Sequence, residues 1–164
     1  MTEPRWLSPQ EQVAWRSFID GFRVLVDVLD RQLQVESNLS HAYYEVLVPL
    51  SEEPCHALRM SELADRARSS RSRLSHAVSR LEERGWVERL DCATDKRGQL
   101  ARLTEAGFAV VQAAAPGHVA AVRRCLIDQL TPDQLATMGE IGQIMLASAE
   151  SAQQRPEQDQ PVPG

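Results

Sequence analysis

Fifteen consecutive residues, Ser70 to Arg84 (SRSRLSHAVSRLEER), constrain the fold more tightly than any other stretch of the chain. Leu74, Val78 and Leu81 recur at the spacing of one helical stripe. At about 100° per residue, Ser72, Arg73, His76, Ser79 and Arg80 fall roughly opposite that stripe. This outer face is narrow, rich in hydroxyls and cations, and short of carboxylates until Glu82 and Glu83. A solvated surface helix would mix acids with bases along its length. This one is shaped to enter a negatively charged groove. Gly85 stops it, in the position glycine commonly takes just past a helix.

The flanking segments give that helix a setting. Met60 to Ala67 (MSELADRA) reads as a short helix with Leu63 and Ala64 inward, and Arg68-Ser69 as a tight turn. Two short helices so joined form a helix-turn-helix. Trp86–Leu90 and Gln99–Leu103 then suit short strands around a turn-like DCATDKRG with Lys96, Arg97 and Gly98 at its tip. A hairpin in that place is a wing. Upstream, Ser8-Pro9-Gln10-Glu11 is a capping box with proline at the first helical position. Trp15, Phe18, Phe22, Leu25 and Leu29 follow as a heptad-like seam to about Leu33, suited to bury against another chain. A second helix covers Ser40 to about Leu50, and Pro54 marks a loop.

Downstream, Thr104 caps a further helix whose apolar positions include Phe108, Val111, Val119, Val122, Leu126 and Leu130. Pro116-Gly117 is expected to kink or divide it. Thr131-Pro132-Asp133-Gln134 starts the last helix, and Leu135, Met138, Ile141, Ile144 and Met145 follow at helical spacing. From Ser151 the chain has almost no apolar content and is expected to be disordered.

A formal charge of -5 argues naively against nucleic acid. The average hides a segregation. Residues 66 to 102 hold ten Arg or Lys and five acids, a local net of +5, so the rest of the chain carries -10. The local field is what a DNA phosphate feels. Three scattered cysteines, Cys55, Cys92 and Cys125, and no visible secretory signal point to a reducing cytoplasm. The apolar stretches are too short and too often charged to span a bilayer.

In MSELADRA, the Ser70–Arg84 helix running into RLEERGWVER, the wing ATDKRG and LTEAG, the chain closely resembles the MarR family of bacterial winged-helix transcription regulators. The resemblance implies a mainly α fold: a winged helix-turn-helix with a small β-hairpin wing, plus N- and C-terminal helices forming a dimerisation domain. Residues 1–35 and 105–150 would form the dimerisation region, 36–104 the DNA-binding lobe and 151–164 a tail. It implies a homodimer on a pseudo-palindromic operator, repression more often than activation, and a small-molecule or oxidant signal that lowers DNA affinity. Half-sites about one helical turn apart, near 34 Å, follow from two recognition helices on one face of the duplex.

The residues take physical roles within that frame. Ser70, or Ser69, caps the recognition helix and can face a phosphate. Ser72, Arg73 and His76, with Ser75 grouped beside them, are placed for base edges, and Arg73 suits a bidentate bond to guanine. Arg71 and Arg80 suit phosphates. In the wing, Asp95-Lys96-Arg97 matches the family's Asp-x-Arg pattern. The resemblance sends Arg97 into the minor groove or its phosphates, beside Lys96. Asp95 reads as an ion-pair partner that steadies the wing. Arg89 and Arg102 are weaker phosphate candidates.

For a signal, Trp15, Arg16, His41, Tyr43 and Tyr44 fall where the family often places a ligand crevice, and they would suit a small aromatic carboxylate. Packing is the competing role for these aromatics. A redox-responsive regulator using Cys55, next to His56, or Cys92, at the wing base, is an alternative. So is a non-specific architectural DNA-binding protein, which would discriminate little between sequences. Metal spacing, cofactor motifs and enzyme signatures such as G-x-S-x-G or H-E-x-x-H are missing from the sequence. The reading is therefore a cytoplasmic, cofactor-free DNA-binding protein and not an enzyme.

Overall fold

The computed structural model describes residues 4–92 and 95–154, apart from the side chains of residues 92, 95–98, 153 and 154. Two compact units divide the chain, Met1–Val122 and Arg123–Gly164.

The first unit begins at a closed capping box. Ser8 Oγ accepts from the Glu11 N–H at 3.3 Å, and the Ser8 N–H donates to Glu11 Oε2 at 2.7 Å. The helix it starts, α1 (Pro9–Ser37), outlasts the expected end near Leu33 and stops at Asn38 in the left-handed conformation (φ 49°). Its seam is buried at only one end. Leu29 and Leu33 enter the core, whereas Trp15, Phe18, Phe22 and Val28 are exposed. Ser40 then caps α2 (His41–Glu52) by accepting from the Tyr43 N–H at 3.2 Å.

The helix-turn-helix expected from the sequence forms as α3 (Met60–Arg66) and α4 (Arg71–Glu83), joined by a turn in which Arg68 takes φ 48°. One strand escaped the sequence: β1 (Ala57–Arg59) pairs antiparallel with β3 (Asp95–Leu103), Leu58 opposite Ala101. The wing strands β2 (Val87–Cys92) and β3 pair from Val87–Leu103 to Asp91–Gln99, with an irregular step after Asp91. The sheet order is β1-β3-β2. Leu33, Leu39, Leu47, Leu50, Leu63, Leu74, Val78 and Leu81 are fully buried and draw α1, α2, α3 and α4 onto this sheet. Each such side chain contributes about 1.5–3 kcal/mol relative to exposure.

Gly85 (φ 71°) reverses the chain after α4, so that Arg84 and Trp86 face one another. The neck of the wing is then closed by Thr104. Its Oγ1 donates to the Gly85 carbonyl at 2.7 Å and accepts from the Gly107 N–H at 3.0 Å, capping α5 (Glu105–Cys125). Gly107 is buried here because a Cβ would collide with the Trp86 carbonyl and the Leu103 side chain.

Helix α5 runs through Pro116-Gly117 as one element and is not divided. Proline removes a single N–H from the ladder, and the preceding Ala113-Ala114-Ala115 favours helix strongly. Gly117 lies against Gln32 and Glu36 of α1, in space a side chain would need.

In the second unit a 3-10 turn (Ile127–Gln129) precedes α6 (Pro132–Gln154). Thr131 and Gln134 form its capping box, with bonds of 3.3 and 2.9 Å. Leu135, Met138, Ile141, Ile144, Met145 and Leu146 on α6 are exposed. The helix continues through 151–154, so the tail expected from Ser151 is helical over its first four residues, held by i→i+4 bonds that need no apolar face. Its remainder lies outside the described residues. No described helix is long and apolar enough to cross a membrane.

Candidate nucleic-acid interface

The interface is built from the N-terminal end of α4. Ser70, not Ser69, is the cap: its Oγ accepts from the Arg73 N–H at 3.3 Å. The same oxygen accepts from Arg73 Nε at 3.3 Å, so the arginine side chain folds back over the helix start. Leu74, Val78 and Leu81 are buried, as their spacing demanded. Arg71, Ser72, Arg73, Ser75, His76 and Arg80 are all exposed.

The cations on and around this helix divide into two groups. Arg71 and Arg73 form no ion pair among the described residues. They sit at the positive end of the helix dipole, where carbonyl partners are absent and an anion is favoured. Arg80, by contrast, pairs with Glu83 at 2.8 Å on the exposed surface, and this bond holds its pKa above the usual arginine value. Such an exposed pair is weak and exchanges readily for another anion. Arg66 is held by Glu53 and Glu62 at 2.6 and 3.1 Å, and Arg102 by Glu88 at 2.7 Å. Among the described side chains on and next to α4, the arginines without a carboxylate partner thus lie at its two ends, Arg71 and Arg73 at the start and Arg84 at the close.

Arg89 is not a free phosphate ligand. Only 23% of its side chain is exposed, and it turns inward from β2 onto α4. Its N–H and Nη1 donate to the two oxygens of Glu82, at 3.0 and 2.7 Å. Its Nη2 donates to the Ser75 carbonyl at 2.9 Å and to Ser79 Oγ at 3.1 Å. Ser79, placed opposite the apolar stripe by the helical wheel, therefore faces the wing strand and is half-buried. Composition counts such an arginine as surface charge; only tertiary pairing reveals it as an internal clamp.

The hairpin backbone places Asp95, Lys96 and Arg97 at its distal end, where Asp95 pairs with Cys92. Their side-chain roles lie outside the described residues.

The proposed ligand residues separate. His41 and Tyr44 meet His118 of α5, with ring centroids 5.7 and 4.6 Å apart, and the His41 N–H donates to Asp30 at 2.8 Å. Burial, and secondarily His41, pushes the His118 pKa below its ordinary value. The buried His118 Nδ1 has no hydrogen-bond partner among the described residues. Tyr43 points the other way, toward Arg84, 5.6 Å from its guanidinium carbon. Trp15 and Arg16 stand exposed on α1, about 20 Å along the helix from Asp30 at 1.5 Å per residue. The chain thus does not gather the five residues into one crevice. An open groove of about 450 Å³ lies instead beside Pro49, Glu52, Glu62, Asp65, Arg66 and Arg68, lined by both carboxylates and guanidiniums.

Cys55 is exposed, but the neighbouring His56 turns to Phe108, 4.7 Å between rings, and to the Leu50 carbonyl at 3.3 Å. The Cys92 side chain lies outside the described residues. Among the described residues, no three His, Cys, Asp or Glu side chains gather to hold a metal.

Comparison with known proteins points the same way as this geometry. The family model described as MarR family matches residues 39–98. Sco3205, a MarR family transcriptional regulator from Streptomyces coelicolor solved in complex with DNA, is 49% identical over 97% of each chain, with a TM-score of 0.85. AbsC, a MarR family transcriptional regulator from the same organism, is 39% identical, covering 90% of this chain and 99% of that one, with a TM-score of 0.86. The chain spans less than half the length of the curated relatives it matches. One of them is Transcriptional repressor MprA of Escherichia coli (strain K12), 30% identical over 78 residues, which are 48% of this chain and 44% of that protein.

Proposed function

The chain belongs to the MarR family of transcription regulators rather than to a family of enzymes, and from that premise we propose that it is a sequence-specific DNA-binding repressor acting as a homodimer. The observation that carries this reading is the exposed start of α4, where Arg71 and Arg73 stand without internal ion pairs among hydroxyls, next to a hairpin. Arg73, Ser72 and His76 read base edges in the major groove, with Ser75 beside them. Ser70, Arg71 and Arg80 hold phosphates, and Arg80 exchanges Glu83 for the backbone. Lys96 and Arg97, from the wing tip, take the adjacent minor groove or its phosphates, and Asp95 steadies them.

The 49% identical regulator solved on DNA supports this docking, and the name of the 30% identical repressor supports repression. The exposed apolar seams of α1 and α6 support a second copy as partner. Residues 1–35 and 105–150 would supply that dimer interface and 36–104 the DNA-binding lobe. A small aromatic ligand that lowers DNA affinity belongs to the same reading, seated at the His41, Tyr44 and His118 rings. DNA as partner places the action in the cytoplasm.

Selection of bound sequences from a random DNA pool tests the function. A regulator enriches a pseudo-palindrome with half-sites about one helical turn apart. Retention of unenriched DNA with a steep salt dependence would mark an architectural protein instead.

A further inference from the structure

The clamp made by Arg89 reaches further than stability. It runs from the wing strand to the middle of α4 and ends on Ser75, a residue of the outer face. Nη2 lies 2.9 Å from the Ser75 carbonyl, 3.1 Å from Ser79 Oγ and 3.4 Å from Ser75 Oγ. A guanidinium donates hydrogen bonds and accepts none. Nη2 has two hydrogens: the Ser75 carbonyl and Ser79 Oγ are its nearer acceptors, and Ser75 Oγ lies at the outer limit of the same fork. The Ser79 hydroxyl donates to the Ser75 carbonyl at 3.0 Å. The Ser75 hydroxyl has no acceptor among the described residues, and its side chain is exposed. With one lone pair turned toward Arg89, the Ser75 hydroxyl keeps its proton and its second lone pair for the outer face.

We infer that Arg89 is a positioning residue for DNA readout: it ties the recognition helix to the wing and holds Ser75, with its exposed hydroxyl, in place toward DNA. The inference rests on the DNA-reading function proposed above. Held there, the hydroxyl can donate to guanine O6 or N7, adenine N7, thymine O4 or a phosphate oxygen, or accept from a base amino group. Glu82 completes the device. By binding the Arg89 N–H and Nη1 it orients the guanidinium, so that Nη2 faces the serines. Lysine keeps the charge but lacks the planar fork that serves Glu82 and Ser75 together.

The test uses the full chain with its pool-selected DNA and with randomised DNA of equal length, comparing wild type, S75A, R89Q, R89K and the S75A/R89Q double variant. Thermal midpoints confirm that each is folded. S75A and R89Q are each expected to lose about tenfold in affinity for the selected DNA, with a smaller loss on randomised DNA. The double variant is expected to lose no more than the worse single variant, since the two residues act as a unit. R89K is expected to keep the fold and lose the discrimination; should R89Q fail to fold, R89K replaces it in the cycle with S75A. Losses that multiply in the double variant, or that are equal on both DNAs, overturn the inference. A wild-type chain that does not distinguish selected from randomised DNA overturns the DNA-reading function itself, and this inference with it.

Discussion

The guanidinium of Arg84 lies 4.9 Å from the centroid of the Trp86 ring, two residues along the chain, because Gly85 folds the backbone back between them. The same group stands 5.6 Å from the Tyr43 ring and donates to the Asn38 carbonyl at 3.0 Å. The residue that caps the end of the recognition helix is thereby anchored to the corner between α1 and α2. Arg84→Ala is expected to destabilise the fold by about 1–2 kcal/mol, because the two cation–π contacts and the charged hydrogen bond it loses all lie at the exposed surface, where water weakens each. Urea unfolding measures it; an unchanged midpoint would show that solvent already satisfies the group.

At the other end of the helix, Arg73→Ala is expected to weaken binding to the selected DNA by about 1–3 kcal/mol and to relax one position of the site. Arg71→Ala should weaken selected and random DNA alike and lower the salt slope by about one. Equal losses for Arg73→Ala on both DNAs would assign it to phosphate.

Gly107→Ala places a methyl group into the Trp86 carbonyl, which backbone pairing with Thr104 holds in place. Overpacking of this kind costs about 1–3 kcal/mol. Thermal unfolding should show the loss, and a variant as stable as wild type would mean that α5 can slide at its start.

His118 gives the lobe a pH dependence. Its folded pKa lies below the ordinary value of 6.5, chiefly through burial and then through His41. As pH falls, the unfolded chain takes up the proton first. The stability contributed by the neutral ring is present above the ordinary value and is lost as pH falls through the folded one. Of the groups around it, Tyr44 is pushed above its own ordinary value by burial and then by Glu52, so it stays neutral throughout this window. Comparing unfolding midpoints at about pH 8 and about pH 5 should show a smaller decline for His118→Gln than for wild type. Equal declines would place the sensitivity in other groups.

Phe18 and Phe22 stack along the exposed seam of α1, their rings 6.4 Å apart. Phe18→Glu is expected to dissociate the proposed homodimer while leaving the monomer helical, as read by sedimentation and circular dichroism. A dimer that survives would move the interface away from this seam.

What the residue pattern revealed was local. Ser8 with Glu11, Ser70, Thr104 and Gly85 act through bonds of a few residues' reach, and each lies where its chemistry required. The stripe of Leu74, Val78 and Leu81 was likewise legible, because helical period alone decides it. Non-local pairing was not. The three residues of β1 have no period of their own and become a strand only by lying against β3. Arg89 and Arg84 look like surface charge until Glu82, Trp86 and Tyr43 are brought to them. Tyr43 and Tyr44, neighbours in sequence, belong to opposite sides of α2, which a shared aromatic character conceals.

The hydrogen bond from Thr104 to the Gly85 carbonyl has one more consequence. It ties the exit of the wing to its entry, and β1 holds β3 at Arg59–Leu100 just above that knot. Residues 91–92 and 95–99 lie beyond it as the distal part of the hairpin, an exchangeable cassette. Evolution, or an engineer, could lengthen, shorten or recharge that tip without asking the lobe to refold. The operator preferences of two such regulators could therefore diverge at the wing while their recognition helices stay the same.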